Sequence, residues 1–214
     1  MKQEVAEMIH VYAVDVSCME SNCYESIYAA ASPERKVRAD KSRSKEASCC
    51  TIVAEALLRY CLKKHLALTE YPLEKNEQGK PRLVNCPDFH FNISHSGHWV
   101  VLACGESEVG IDVEHIRMDE KQEKLARRFF TPQEQNFIFR EPEGTEERFF
   151  QIWTAKESYL KYLGTGLQKS LNSFCVRSME RPQFFFHRLE DCAMTLCTEE
   201  GAYELAFLTP GQLQ

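Results

Sequence analysis

Two segments of this chain repeat one pattern, and the repeat restricts the fold more than any other feature. Ser32-Pro33 and Thr131-Pro132 each place a hydroxyl side chain before a proline, which is a common start of a helix. Each is followed by a strongly amphipathic segment, one near residues 45–66 and the other near 146–163. The repeat predicts two similar α/β halves, each with one long helix.

Short runs with β-strand character surround both predicted helices. They fall at residues 9–16, 89–94, 98–104, 108–114, 173–177, 184–189, 193–197 and 203–208. We therefore predict an α+β fold in which each half is an antiparallel sheet packed on its long helix. The N-terminal half is predicted to span residues 1–105 and the C-terminal half residues 106–214.

The composition predicts a soluble protein of a reducing compartment. Ten cysteines are present among 214 residues, but no two of them form a C-x-x-C pair, so a disulfide framework is not expected. The first residues lack the apolar run of a signal peptide, and no segment has the length of a membrane span. We expect a cytoplasmic location and no membrane partner.

Three carboxylates and a lysine indicate chemistry at a metal ion. In the strand Val109–Glu114, alternation places Asp112 and Glu114 on the face opposite to the valines. In the later helix, Glu157 and Lys161 are one turn apart on one side. Carboxylates that meet at such a strand and helix suit Mg²⁺, and a lysine beside the ion suits a phosphate. The alternative is a half-exposed strand and a surface ion pair.

Basic residues are concentrated early in the chain. On one continuous helix, Arg35, Arg38, Lys41 and Lys45 would lie on adjoining turns of one side. A solvated helix face is the alternative interpretation. The net charge of the chain is −6, so a local basic patch favours a small polyanion and argues against a nucleic-acid partner.

A polar corner lies between two of the predicted strands. We expect Asn92, Ser94, His95, Ser96 and Gly97 to form a tight polar corner, whose backbone amides, serine hydroxyl and imidazole would be able to bind an anion. A hairpin that only satisfies its own backbone is the alternative. Lys80, in the turn Gly79–Pro81, supplies another cation just upstream.

Taken in order, these motifs resemble the 4′-phosphopantetheinyl transferases of the surfactin-synthetase-activating type, in which one chain contains two similar halves. The resemblance rests on Phe91–Gly97, Gly110–Glu114 and Trp153–Ser158 with Lys161, and it extends from about residue 32 to residue 176. It implies a pseudo-two-fold relation between the halves, an active site between them, and a monomer with a pseudo-dimeric fold. It also implies transfer of the 4′-phosphopantetheine arm of coenzyme A (CoA) to a serine of an apo acyl or peptidyl carrier protein, with release of adenosine 3′,5′-bisphosphate.

The resemblance also implies roles for single residues. Asp112, Glu114 and Glu157 would hold Mg²⁺ against the pyrophosphate of CoA, and Lys161 would contact the same phosphates. Ser94 and His95 would bind phosphate at the corner. The candidates for the 3′-phosphate and adenine side are basic: Arg35, Arg38, Lys45 and Lys80.

Glu134 occupies the position where the family has a glutamate proposed to accept the proton of the carrier serine. Thr131–Glu134 also has the sequence of a capping box, in which Glu134 would bond back to the Thr131 amide. A metal-bound water or Glu157 are further candidates for the base. The carrier would dock on the segment after the catalytic helix, residues 164–171, which includes Lys169.

Two other functions use some of the same residues. A different Mg²⁺-dependent phosphate-transfer or hydrolytic enzyme would use the three carboxylates without the basic patch. A non-catalytic carrier-protein or CoA binder would not need a complete carboxylate set, and this chain retains all three carboxylates and Lys161.

Overall fold

The computed structural model describes residues 8–117, 121–166 and 169–214, without the side chain at position 121. The helices are α1 Ser21–Ala30, α2 Pro33–Asp40, α3 Lys45–Leu66, α4 Lys121–Phe129, α5 Pro132–Ile138 and α6 Thr145–Leu163. The strands are β1 Ile9–Asp15, β2 Leu73–Lys75, β3 Pro81–Leu83, β4 His90–Ser96, β5 Trp99–Gly105, β6 Val109–His115, β7 Gln183–Leu189, β8 Cys192–Thr198 and β9 Tyr203–Leu208. None of the helices in these ranges is long and apolar enough to span a bilayer.

The first sheet has the order β4-β5-β1-β9 and packs on α3. β5 is antiparallel to both β4 and β1, whereas β1 and β9 are parallel. One face of the sheet and the apolar side of α3 form a core that includes Val14, Leu102, Ile52 and Leu57, all fully buried. Burial of this apolar stripe is what holds the long helix on the sheet.

The second sheet has the order β6-β8-β7, is entirely antiparallel and packs on α6. Alternate residues of its strands face away from the helix. These residues, among them Ile111 and Met194, pack against Val11 and Val101 of the first sheet in a further fully buried cluster. The two sheets therefore face each other, with one long helix on each outer side.

The predicted α+β class and the two halves, each a sheet on a long helix, are confirmed. The division of the chain into domains at residue 105 stays a prediction. β9 comes from the end of the chain but pairs with β1, so the hydrogen bonding of the first sheet extends beyond the N-terminal half. Each sheet was predicted to be antiparallel. Within the described sheets, β1 and β9 are the one pair of strands that is parallel instead.

Two local predictions were wrong. The basic run does not form one helix, since α2 ends at Asp40 and α3 begins at Lys45, with Ser32 and Ser44 accepting hydrogen bonds as N-caps. The segment 173–177 is not a strand. It contains parts of two short 3₁₀ turns, Leu171–Ser173 and Val176–Ser178, and its backbone bonds to side chains instead of a strand: the Phe174 carbonyl accepts from Lys156 and the Val176 amide donates to Glu134.

Candidate active site

A glycine allows α6 to lie directly on β6. A Cβ atom at Gly110 would be 2.0 Å from the carbonyl oxygen of Ser158 and 2.4 Å from the amide nitrogen of Tyr162. Both are backbone atoms of the helix, so no side-chain rotation would relieve the contact. The absence of a side chain at position 110 therefore sets the distance between the helix that carries Glu157 and the strand that carries Asp112.

Side chains of β4 bridge to β6, which belongs to the other sheet. The amide of Ile111 donates to Asn92 Oδ1 at 2.9 Å, and Ser94 Oγ donates to Asp112 Oδ1 at the same distance. Ser96 Oγ donates to Glu114 Oε2, again at 2.9 Å. Because residues 92, 94 and 96 alternate along one face of β4, these three bonds fix two carboxylates of β6 at the junction of the sheets.

Lys161 joins α6 to both strands at this junction. Its ammonium donates to Asp112 Oδ1 at 2.6 Å, to Ser94 Oγ at 2.8 Å and to the carbonyl oxygen of Ile111 at 3.1 Å. The Lys161 side chain is 28% exposed, and that of Asp112 is 6% exposed. The partly exposed cation therefore lies between a buried carboxylate and the solvent side of the cleft.

The three carboxylates that the sequence singles out lie near one another, and the pKa values of Glu157 and Glu114 are raised. Burial raises the pKa of Glu157 to about 7, with a further contribution from Asp112 that Lys161 partly offsets. Burial and the charge of Asp112 also raise the pKa of Glu114. Grouped carboxylates with raised pKa values are characteristic of a site that receives a cation or a proton.

The donor chemistry of this group suits Mg²⁺. Within the described residues, no three His, Cys, Asp or Glu side chains are already arranged as a metal-binding group. However, the Oδ2 atom of Asp112 is buried without a hydrogen-bond partner. Such an atom carries a desolvation cost that a hard cation would remove. Asp112, Glu114 and Glu157 are thus residues that would hold the ion.

A larger cavity lies beside the basic end of α2. It has a volume of about 870 Å³, and Arg35, Arg38 and Tyr71 are among the residues that line it, together with Phe91 and Ile93 of β4. Burial, followed by the charge of Arg38, lowers the pKa of Arg35. Two arginines beside an aromatic and apolar wall are suited to a phosphorylated aromatic ligand.

A smaller cavity of about 300 Å³ adjoins Glu157. Its lining includes Asn92, Glu157 and Lys161, and it shares Gly79 and Pro81 with the larger cavity. The two spaces therefore meet at one turn. A long ligand with phosphates at its centre and at one end would reach both sets of cations from this position.

Lys80, in the same turn, is already engaged by protein groups. Its ammonium donates to Glu108 Oε2 at 2.6 Å, to the carbonyl oxygen of Tyr162 at 3.0 Å and to that of Val109 at 3.3 Å. Asn76 donates nearby to the carbonyl oxygen of Gly164 at 2.9 Å. Both side chains connect the first half of the chain to the end of α6.

The remaining predicted phosphate ligands differ in position. Partial desolvation, followed by the charges of Lys161, Arg35 and Arg38, lowers the pKa of His95, so the imidazole lies within the field of both groups of cations. Lys45 is exposed at the start of α3 and lies outside the lining of the larger cavity. Both side chains are exposed, His95 on β4 and Lys45 at the start of α3.

Glu134 is fully buried, and both of its oxygen atoms have partners. Oε2 accepts from the Thr131 amide at 2.8 Å, from the Thr131 hydroxyl at 2.9 Å and from Lys156, also at 2.9 Å. Oε1 accepts from the amide of Val176 at 2.9 Å. These contacts support the capping-box interpretation, and the catalytic role of Glu134 stays a prediction.

Several contacts that hold the site in place were not predicted from the sequence. Asn92 and Ser96 belong to the predicted polar corner, but their contacts with β6 follow from alternation along β4, which places both on the same face as Ser94. Glu55 pairs with Arg35 at 3.6 Å and with Arg59 at 3.1 Å. Only the pair with Arg59, one helical turn away, has a recognisable sequence spacing.

Comparisons with known proteins assign both halves of the chain to one group. Residues 20–107 match the family model described as "4′-phosphopantetheinyl transferase, N-terminal". Residues 108–207 match the model described as "4′-phosphopantetheinyl transferase superfamily". The two matches meet at the start of β6, the strand that carries Asp112.

Relatives are similar over most of their length. The 4′-phosphopantetheinyl transferase psf-1 of Bacillus pumilus is 34% identical over 183 residues, which cover 82% of this chain and 77% of that protein. The 4′-phosphopantetheinyl transferase Sfp of Bacillus subtilis strain 168 is 33% identical over 149 residues, 68% of this chain and 66% of that protein. A 4′-phosphopantetheinyl transferase of Bacillus subtilis is 35% identical over 156 residues, 72% of this chain and 69% of that protein. With the matched family models and the cleft described above, these relatives show that the chain belongs to the Sfp-type 4′-phosphopantetheinyl transferases.

Proposed function

We propose that the enzyme moves the 4′-phosphopantetheine arm of CoA to a serine of an apo acyl or peptidyl carrier protein and releases adenosine 3′,5′-bisphosphate. The observation that carries the proposal is the junction of two cavities at the turn Gly79–Pro81. One cavity contains two arginines, and the other contains Lys161 and Glu157. The spacing of phosphates in CoA, a pyrophosphate and a separate 3′-phosphate, matches this division.

The two phosphate groups of CoA, its pyrophosphate and its 3′-phosphate, would bind in different cavities. We assign the pyrophosphate to the smaller cavity beside Lys161, with His95 and Ser94, which contacts Lys161 at 2.8 Å, as further ligands. The 3′-phosphate and adenine lie in the larger cavity, where Arg35 and Arg38 provide the charge. Lys45 and Lys80 act at the periphery, and Lys80 reaches a phosphate only after exchanging one of its present protein contacts.

The reaction forms a bond between the serine oxygen and the phosphorus that carries the pantetheine arm. It breaks the bond from that phosphorus to the bridging oxygen, which leaves with adenosine 3′,5′-bisphosphate. Lys161 stabilises the negative charge that develops on the departing phosphate. Asp112, Glu114 and Glu157 would hold Mg²⁺, which would supply further charge neutralisation at the pyrophosphate.

The serine proton needs an acceptor at the cleft. Glu157 lines the smaller cavity, so its carboxylate has access to the proton of a serine that enters there. Glu134 lacks this access because it is fully buried and both of its oxygens are bonded. On these grounds Glu157 is the better supported candidate.

The carrier protein docks on the segment that follows α6. The ammonium of Lys169 lies over the rings of Tyr159 at 5.0 Å and Phe174 at 5.2 Å. These contacts hold a positive charge that would attract an acidic partner. Residues 167 and 168 of the predicted docking segment lie outside the described residues. We expect the enzyme to work as a monomer, since one chain contains both halves of the proposed site, and its ten free cysteines suit the reducing cytoplasm.

A product assay separates the proposal from the two alternatives. The enzyme is incubated with CoA and Mg²⁺, with and without an apo carrier, and adenosine 3′,5′-bisphosphate is measured by liquid chromatography. The proposal predicts release only when the carrier is present and no release with a carrier whose acceptor serine is replaced by alanine. Release without carrier would indicate a phosphohydrolase, and CoA binding without release would indicate a binder.

A further inference from the structure

Glu55 is a partly buried carboxylate on α3 that the proposed chemistry does not use. Its side chain is 12% exposed and lies in the lining of the larger cavity. It accepts from the amide of Ser32 at 2.9 Å and from the hydroxyl of Ser32 at 2.7 Å. An unpaired negative charge in a cavity proposed to bind a phosphate would repel the ligand, so the charge of Glu55 must be offset by neighbouring groups.

Glu55, Ser32 and Arg35 contact one another in a closed triangle. Glu55 accepts a hydrogen bond from the hydroxyl of Ser32, and the same hydroxyl oxygen accepts one from the amide of Arg35 at 3.3 Å. Nε of Arg35 in turn forms an ion pair with Glu55 at 3.6 Å. Arg59 holds the opposite side of the carboxylate at 3.1 Å and is itself bonded to the carbonyl oxygen of Ala30 at 3.0 Å. The triangle thus fixes both the backbone and the guanidinium of Arg35.

We propose that Glu55 is a positioning residue that aligns Arg35 for the 3′-phosphate of CoA. The inference rests on the proposed function. Arginine side chains lose considerable rotamer freedom when they bind a ligand. In this cavity Glu55 restricts Arg35 through Nε, so the terminal nitrogens of the guanidinium stay available for phosphate oxygens. The four donors around Glu55 neutralise its charge, so it does not repel the ligand.

The inference predicts a selective effect on one end of the substrate. Glu55→Gln keeps the size of the side chain but removes its charge, so Arg35 loses its ionic restraint. We expect the KM for CoA to rise several-fold, because the ion pair at 3.6 Å no longer restrains the guanidinium of Arg35. The kcat should stay within about twofold, and the KM for 3′-dephospho-CoA should not change, because that substrate lacks the phosphate.

A double-mutant cycle tests whether Glu55 acts through Arg35. In an Arg35→Ala background, Glu55→Gln should leave the KM for CoA unchanged, since the group that it positions is missing. Glu123→Gln is the matched control. It removes the same charge from an exposed pair with Arg127, also one helical turn apart and with a shortest distance of 2.6 Å, on α4. This control should leave the KM for both substrates unchanged.

An equal rise in KM for CoA and for 3′-dephospho-CoA, or additive effects in the double variant, would overturn the positioning role. If Glu55→Gln does not give folded protein, as judged by circular dichroism, Glu55→Asp replaces it. This shorter carboxylate keeps the charge but retracts from Arg35, so the same selective rise is expected. A failure of the proposed function looks different, because the wild-type enzyme would then not transfer the arm from CoA to any carrier.

Discussion

The contact between β6 and α6 provides a sharp test of how the site is built. Gly110→Ala adds one methyl group where the carbonyl oxygen of Ser158 would be only 2.0 Å away. Ordinary van der Waals contact begins at 3.4 Å, so the backbone of α6 must retreat by about 1.4 Å. Because Glu157 and Lys161 belong to the same stretch of helix, they move with it, away from Asp112 on β6.

Two consequences follow from this displacement. Overpacking of this kind lowers the free energy of unfolding by about 1–3 kcal/mol. A misplacement of about 1 Å at a reacting centre costs about 100-fold in rate. We therefore expect Gly110→Ala to fold with a reduced melting temperature and to lose about two orders of magnitude in kcat. Denaturant unfolding and carrier-modification kinetics measure the two effects on the same preparation.

Gly201→Ala is the control for this experiment, because a Cβ atom at that position has no neighbour within 4 Å. It should change neither the stability nor the kcat by more than the error of the assays. If Gly110→Ala retained wild-type stability and kcat, the close approach of helix and strand would not control the geometry of the site, and the reasoning would be refuted.

Three further predictions concern the groups around this contact. Glu134→Gln should lower the free energy of unfolding by about 3–5 kcal/mol, because Lys156 loses its buried partner. The kcat of the folded protein should stay unchanged. A loss of kcat with normal stability would instead support the catalytic role of Glu134. In metal-free protein, the folded state binds the Glu157 proton more tightly than the unfolded chain does, so this residue makes unfolding easier as the pH rises from 4.5 to about 7. Glu157→Gln should therefore gain stability relative to the wild type across that window, by up to about 3 kcal/mol in denaturant titrations, and a constant difference would contradict the pKa. Lys169→Glu should raise the KM for an acidic carrier several-fold with an unchanged KM for CoA, and equal carrier kinetics in the two proteins would argue against docking at this segment.

Much of the fold was predictable because its signals are local. The apolar spacing of residues 45–66 and 146–163 matches α3 and α6 within one residue, since a long amphipathic stripe has few alternatives to helix. Alternation also located most strands of both sheets. The parallel pairing of β9 with β1 was not predictable, because the ladder joins residues nearly 200 positions apart and leaves no local pattern.

The candidate site was predictable where the motif itself holds the chemistry. Asp112, Glu157 and Lys161 lie together as their strand and helix periodicities suggested. The protein partners of Lys80 and the burial of Glu134 were not predictable, since both depend on tertiary contacts with α6 and its C-terminal continuation. A capping-box sequence is the same whether its glutamate faces solvent or, as here, a buried lysine.

The basic run illustrates the same limit. Charges at helical spacing indicated one continuous helix, but serine caps at positions 32 and 44 divide the run into two. This break leaves Arg35 and Arg38 beside the larger cavity and places Lys45 on another helix. A serine that caps a new helix ends the possibility of one helix that runs through that position. The spacing of charged residues does not predict where such a cap forms.

The central claim is transfer of the phosphopantetheine arm at the cleft between β4, β6 and α6. Its most direct test is the intact mass of an apo carrier protein after incubation with the enzyme, CoA and Mg²⁺. The account predicts a gain equal to one phosphopantetheine arm, lost with EDTA and with Asp112→Ala but retained with Gly201→Ala. An unchanged carrier mass across several unrelated carriers, despite measurable binding of CoA, would contradict it.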